Sequence, residues 1–188
     1  MNREAWLQQA TQALQEDFTA QGSPIPPNVR VSCGFSGARG GNAKKEIVGG
    51  CWSASKSADK HFEIFVSPTQ SDSLEVLGIL VHELVHATVG VKAGHKGPFK
   101  RLATALGLEG KMTSTTTGER LKERLNSIIE QIGAYPHASL DASLSKKQST
   151  RMIKIECVDC SWTARTSRKM VDAGLPTCFC GGEIGVTV

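Results

Sequence analysis

Two histidines separated by three residues are the feature of this sequence with the clearest chemical meaning. They lie in the segment His82-Glu83-Leu84-Val85-His86. On a helix, side chains four positions apart lie one turn apart on the same face, so both imidazoles can bind one metal ion. Glu83 follows the first histidine, where its carboxylate could take a proton from a metal-bound water and pass it to a leaving amine. The pattern predicts a metal-dependent hydrolytic site with Glu83 as the catalytic residue.

A catalytic zinc site needs a third protein ligand and one position left open for water. The next histidine along the chain is His95, and the residues around it are typical of a turn. Gly90 and Gly94 would allow the chain to fold back over the end of the helix. Glu109 is the competing ligand, because some metallopeptidases use a glutamate from a later helix. We favour His95, because turn residues flank it and it adds a third imidazole; three imidazoles in turn favour zinc as the ion.

Four cysteines near the end of the chain form two close pairs. They are Cys157 with Cys160, and Cys178 with Cys180, with 17 residues between the pairs. Four thiolates suit a tetrahedral structural zinc ion with no open position for chemistry. A segment of 38 residues, 151–188, is too short to build an adequate apolar core, so a metal ion would supply the missing stability. We therefore predict a zinc ribbon with a second, structural zinc ion.

An aromatic residue and three cations lie between the two cysteine pairs. They are Trp162, Arg165, Arg168 and Lys169. The aromatic ring could stack on a base while the cations hold phosphates, which predicts nucleic-acid binding. The alternative is a solvated surface with Trp162 in the small core of the ribbon. The net charge of +4 is compatible with a nucleic-acid partner but does not establish one by itself.

These sites need elements that hold them, and hydrophobic periodicity predicts four helices. The helices are predicted at residues 3–20, 71–89, 98–108 and 118–132. The second is mostly apolar and carries the paired histidines, so we expect it to be buried. Three short strand-like runs lie at residues 29–34, 46–52 and 61–66. They predict a small three-stranded antiparallel sheet. We interpret the threonine-rich run at residues 113–117 as a capped loop.

The predicted fold class is α+β. An N-terminal helix, the three-stranded sheet, the helix with the paired histidines and further helices would form one domain, residues 1–134. Residues 135–150 lose periodicity and are interpreted as a linker, and residues 151–188 would form the zinc ribbon. A chain of 188 residues and 20.1 kDa has room for one ordinary domain and a small appendage.

The composition limits the class of protein. Hydrophobic residues make up 39% and charged residues 21%, which is typical of globular chains. Six cysteines are too sparse for a disulfide scaffold. The N-terminus has no apolar core of the kind a signal peptide has, and no apolar run approaches the 18 residues that a membrane span needs. We therefore expect a protein of the reducing cytoplasm with no membrane partner, in which cysteines bind metal or pack in the core.

The histidine motif and the turn after it resemble the SprT-like zinc metallopeptidase family, to which Spartan belongs. The resemblance rests on Leu80-Val81-His82-Glu83-Leu84-Val85-His86-Ala87, followed by Gly94-His95-Lys96-Gly97-Pro98-Phe99. It implies that His82, His86 and His95 bind the catalytic zinc ion and that Glu83 is catalytic. Lys96 separates His95 from Gly97, which is a small departure from the family pattern. The chain most resembles the small SprT-like proteins of phage and prophage genomes, and the resemblance covers nearly its whole length.

The resemblance implies a function and a substrate class. The expected activity is zinc-dependent hydrolysis of peptide bonds in DNA-associated or DNA-crosslinked proteins, in the host cytoplasm if the chain is phage-encoded. DNA is the expected partner. The main alternative is a non-catalytic adaptor that binds nucleic acid, is associated with transcription and has two structural zinc sites. A third hypothesis is a peptidase that cuts only its own linker, residues 135–150.

Overall fold

The chain divides into two compact units, Met1–Leu144 and Ser145–Val188. The computed structural model describes residues 1–37, 47–141 and 152–187. Residues 135–141, which the sequence analysis assigns to a linker, pack on the first unit. Tyr135 is buried against the ring of Trp6, and the backbone N–H of Leu140 donates to the carbonyl of Pro68 at 2.7 Å. Residues 142–150 of the predicted linker lie outside the described residues.

The first unit combines helices and short strands, which confirms a mixed α+β fold class. The helices are α1 (Arg3–Ala20), α2 (Ser73–Val89), α3 (Gly97–Leu106) and α4 (Glu119–Ile132). The strands are β1 (Val29–Cys33), β2 (Gly49–Trp52), β3 (Phe62–Val66), β4 (Leu108–Lys111) and β5 (Ser114–Thr117). Each of the four helices predicted from periodicity is confirmed to within two residues at both ends. Their boundaries are local features, because caps and hydrophobic spacing determine them.

The sheet of β1, β2 and β3 is mixed, so the prediction of a purely antiparallel sheet was wrong. The strand order is β1-β3-β2, with β1 parallel to β3 and β2 antiparallel to β3. The reason is the long connection between β1 and β2, which spans residues 34–48. A tight hairpin would have forced β1 and β2 to pair, whereas a long connection lets β3 enter between them. As a result β2 lies at an edge of this sheet.

The threonine-rich run forms a strand and not the capped loop that the sequence analysis predicted. Strands β4 and β5 pair as an antiparallel hairpin, with Glu109 opposite Thr116 and Lys111 opposite Ser114. Consecutive β-branched threonines favour extended backbone, and this propensity was the signal in the sequence. The side chains of β5 alternate between half-buried and exposed, so one of its faces lies against the rest of the unit.

The core of the first unit surrounds α2. This helix packs against β2, β3, α3 and α4, and its apolar side chains point in nearly all directions. It starts where the Asp72 carboxylate accepts a hydrogen bond from the backbone N–H of Glu75 at 2.9 Å. The predicted stripe of α1 is buried against the same core and consists of Trp6, Ala10, Leu14 and Phe18. Each large apolar side chain buried in this way contributes about 1.5–3 kcal/mol.

The second unit is a three-stranded antiparallel sheet with a short helix. Its elements are β6 (Ile153–Cys157), β7 (Thr163–Thr166), α5 (Arg168–Asp172) and β8 (Ile184–Thr187), and the strand order is β7-β6-β8. Its buried core consists of Ile155, Cys157, Cys178 and Ile184. Two of these residues are cysteines, so little apolar surface is available to stabilise the unit. Among the described helices of the chain, none is long and apolar enough to cross a membrane.

Candidate metal centres

Three histidines meet at one point beside α2. His82 and His86 project from successive turns of that helix, and the turn between α2 and α3 brings His95 to them. The Nε2 atom of His95 lies 3.2 Å from that of His82 and 3.2 Å from that of His86. Glu109, the competing ligand, is exposed on β4 and does not belong to the group. The structure therefore places together the three histidines that the sequence analysis selected.

The geometry of the three nitrogens fits a metal ion better than it fits hydrogen bonds. A ring nitrogen carries either one proton or one lone pair, so His95 Nε2 can hydrogen-bond with only one of its two neighbours. Zinc–nitrogen bonds of about 2.0–2.1 Å at tetrahedral angles separate two ligand nitrogens by about 3.3 Å. The two distances of 3.2 Å are close to this value. The group can hold a metal ion, and its donor set is consistent with zinc.

Burial keeps the imidazoles in the form that metal ligands require. Removal from water, together with the neighbouring histidines, lowers the pKa of His82 to about 4 and that of His86 to about 4. Burial also lowers the pKa of His95. All three rings are neutral at physiological pH, and a neutral imidazole offers a lone pair to a cation.

Glu83 lies on the same helix and points between α2 and the edge strand β2. It is 7% exposed, and burial raises the pKa of its carboxyl to about 8. The space for this carboxyl depends on Gly49 in β2. A Cβ atom at position 49 would lie 2.8 Å from Glu83 Oε1 and 2.6 Å from Ile79 Cγ2. The absence of a side chain at Gly49 thus makes room for the carboxyl group.

Two residues that the sequence analysis did not assign to the site contact the histidines. The buried ring of Phe99, at the start of α3, has its centroid 4.4–5.0 Å from the centroids of all three imidazoles. Thr115 Oγ1, on β5, lies 2.9 Å from His82 Nδ1. Phe99 belongs to the motif after α2, so its place beside the site had a signal in the sequence. Thr115 is 33 residues from His82, and no local pattern connects them.

Four cysteines form the second group, in the second unit. Cys157 Sγ lies 3.6 Å from Cys180 Sγ, and Cys160 Sγ lies 3.6 Å from Cys178 Sγ. A disulfide requires about 2.05 Å, whereas two sulfurs on a tetrahedral zinc ion are about 3.8 Å apart. Hydrogen bonding from the backbone N–H of Cys160 lowers the pKa of Cys157 to about 7, whereas hydrogen bonds with neighbouring thiols raise the pKa of Cys160 to about 12. The four sulfurs can therefore hold one metal ion.

The side chains selected for nucleic-acid binding are all exposed. Arg165 lies on β7, while Arg168 and Lys169 lie in the first turn of α5. Trp162 is 40% exposed, and its ring meets that of Phe179 edge to face with 6.3 Å between centroids. Phe179 is 83% exposed and was not selected from the sequence. The second unit thus presents an exposed aromatic pair as well as three exposed cations.

Comparisons of the chain with protein-family models, with curated proteins and with solved structures find no match. The class of protein is therefore defined by the fold and the two side-chain groups. It is a mixed α+β chain with a three-histidine group and a four-cysteine group, each able to hold a metal ion. The resemblance to SprT-like metallopeptidases stays a hypothesis based on the motif residues.

Proposed function

We propose that this chain is a zinc-dependent metallopeptidase of the SprT-like type, with a C-terminal zinc ribbon. The proposal rests on one observation. Three imidazole nitrogens converge on one point beside a buried helix, and the same helix carries Glu83. Three histidines leave a fourth tetrahedral position open, as catalytic zinc sites do. A structural zinc site has no use for a carboxyl group buried next to its ligands, and burying such a group is unfavourable.

The chemistry follows from the groups at the site. His82, His86 and His95 would hold a zinc ion, which would supply a Lewis acid to polarise the scissile carbonyl and activate water. Glu83 is the group that would accept a proton from the attacking water and pass it to the leaving amine. Burial raises the pKa of Glu83 to about 8, and a nearby cation favours the carboxylate form that a base requires. The buried position also prevents bulk water from competing for the proton.

The position of the edge strand β2 supports the proposal that the substrate is a polypeptide. Within the described ranges, β2 pairs with β3 alone, so its other edge has no described strand beside it. Gly49, at the start of β2, lies directly against the Glu83 carboxyl. An extended peptide that pairs with this edge would bring its backbone past the catalytic group. Large apolar side chains with substantial exposure lie before the strand and at its end, namely Ile47, Val48 and Trp52.

Gly49→Ala is expected to lower kcat about tenfold or more while zinc content stays unchanged. The added methyl group would push against Glu83 Oε1 at 2.8 Å, and small displacements of a catalytic group reduce rates strongly. Steady-state kinetics on an unfolded protein substrate measures the effect. Gly185→Ala is the matched control, because a Cβ atom at that strand position meets nothing within 4 Å. Full activity in Gly49→Ala would show that the Glu83 carboxyl is not used where it lies.

Exposed side chains of the second unit support the proposal that the substrate is bound to DNA. Its exposed cations, Arg165, Arg168 and Lys169, could hold phosphates, and the exposed ring of Trp162 could stack on a base. A ribbon that binds DNA would concentrate the peptidase on DNA-associated or DNA-crosslinked proteins. This step from zinc ribbon to DNA follows the family resemblance.

Cleavage of a DNA-bound protein is expected to rise with single-stranded DNA and to fall with added salt. Contacts between cations and phosphates weaken as salt increases, because counterions are no longer released favourably. Gel analysis of the substrate at several salt concentrations measures this response. The double variant Arg165→Gln/Arg168→Gln should lose the stimulation, whereas Lys122→Gln, an exposed lysine on α4, should keep it.

Zinc content, DNA binding and the intact mass of the chain, measured on the same samples, separate the competing hypotheses. Two zinc ions per chain and DNA binding without cleavage would favour the non-catalytic adaptor. Cleavage that responds to neither DNA nor salt would contradict the DNA-bound substrate class. Loss of intact mass from the chain itself, with the substrate uncut, would indicate a peptidase that acts only on its own linker.

A further inference from the structure

A hydroxyl group of the β4–β5 hairpin lies beside the three-histidine group. Thr115 Oγ1 lies 2.9 Å from His82 Nδ1, on the side of the ring away from the Nε2 atom that faces His95. An imidazole that binds a metal through Nε2 keeps its proton on Nδ1 and donates it to a neighbouring acceptor. The Thr115 hydroxyl oxygen is positioned to be that acceptor.

The hairpin is held in place by a close packing contact one helical turn away. A Cβ atom at Gly78 of α2 would lie 2.9 Å from Thr117 Cγ2, so the glycine allows β5 to approach the helix. Gly78 and His82 are one turn apart, about 6 Å along the helix axis. Thr117 and Thr115 are two residues apart on one face of the strand, about 6.7 Å. Because these spacings match, docking of Thr117 on Gly78 brings Thr115 to His82.

We propose that Thr115 is a positioning residue of the metal centre. Its hydroxyl group accepts the Nδ1–H of His82, which fixes the tautomer and the ring orientation and so directs the Nε2 lone pair at the metal ion. The inference rests on the metal centre of the proposed function.

The contact between Thr115 and His82 matters because His86, the other histidine on α2, has no comparable polar partner among the described residues. His86 Nδ1 is buried and has no hydrogen-bond partner among the residues that the structure describes. His86 is thus oriented by packing, including its ring contact with Phe99 at 4.4 Å between centroids. Of the two ligands on α2, His82 is the one that a polar group from another element anchors. Partners of this kind typically change metal affinity by about 10–100-fold when they are removed.

The test is the zinc affinity of the three-histidine group in the full-length chain, measured by competition with a chelator. A His95→Ala variant identifies which of the bound zinc ions belongs to this group. Thr115→Val keeps the shape of the side chain but removes the hydroxyl, and we expect about tenfold weaker binding. Thr115→Ser keeps the hydroxyl and should bind within about threefold of wild type. Thr116→Val, on the exposed face of the same strand, is the matched control and should bind as wild type does.

A measurement on the wild-type chain tests the proposal independently of how the variants fold. Nitrogen NMR of the zinc-loaded protein should show His82 with a proton on Nδ1. An unprotonated Nδ1, or equal zinc affinity in Thr115→Val and wild type, would overturn the positioning role and leave the proposed peptidase standing. No zinc on the histidines of the wild-type chain would overturn both.

Discussion

Glu83→Gln is expected to reduce peptide hydrolysis by about 10³-fold or more while both metal sites stay filled. Glutamine preserves the shape of the side chain but cannot accept a proton from water, and general acid–base catalysis typically contributes about 10²–10⁴-fold. Glu83 does not belong to the three-histidine group, so zinc binding should persist in the variant. Kinetics on a DNA-bound protein substrate and metal analysis of the same samples measure both quantities.

The matched control is Glu75→Gln, which makes the same chemical change on an exposed position of the same helix. It should retain wild-type activity. Because the Glu83 carboxyl is buried, Glu83→Gln should not destabilise the chain, and thermal unfolding checks this point. Equal activity in Glu83→Gln and wild type would remove the peptidase mechanism. Loss of zinc together with activity would instead assign Glu83 a structural role.

Cys178→Ser is expected to unfold the second unit while the first unit remains folded. The core of the second unit has four buried residues, and two of them are cysteines of the metal group. Apolar burial of about 1.5–3 kcal/mol per large side chain cannot offset an ordering cost of about 1.5 kcal/mol for every residue. Structural zinc supplies about 10–16 kcal/mol in small zinc-binding peptides, so loss of one thiolate should remove most of the stability of this unit.

Zinc content should fall by one ion per chain, and backbone amide signals of residues 152–187 should collapse to those of an unfolded segment. Signals of residues 47–141 should stay in place, because that unit has its own extensive core. Cys33→Ser is the matched control, since it removes a thiol from the first unit and should leave both zinc ions bound. If the amide signals of the second unit stay dispersed when its zinc ion is lost, its apolar core alone is sufficient to keep it folded.

Much of the fold could be predicted because its signals are local. The stripe of Trp6, Ala10, Leu14 and Phe18 predicts α1, and all four side chains are buried. A helix brings positions 82 and 86 about 6 Å apart along one face, whereas a strand would separate them by about 13 Å, so the paired histidines agree with the helix that periodicity predicts. The choice of His95 over Glu109 also came from local residues, since turn-forming residues surround His95. The structure brings His95 to the pair and leaves Glu109 exposed.

The sheet and the hairpin were predicted less well because long-range pairing decides them. Hydrophobic alternation locates β1, β2 and β3 but does not state which strand lies in the middle. The long connection after β1 allowed β3 to take that place, and β2 became an edge strand beside Glu83. The run from Ser114 to Thr117 has strand propensity, but only its pairing with β4 makes it a strand.

The sequence by itself determined the members of the three-histidine and four-cysteine groups and the helix that carries His82 and His86, because spacing along a helix or between two cysteine pairs is a local property. Only the tertiary structure decided what surrounds those residues. Gly49 leaves room for the Glu83 carboxyl, Phe99 packs on all three imidazoles, and Thr115 reaches His82 from a distant hairpin. The physical reason is that each of these contacts joins segments far apart in the chain, and such contacts form only when the whole core packs.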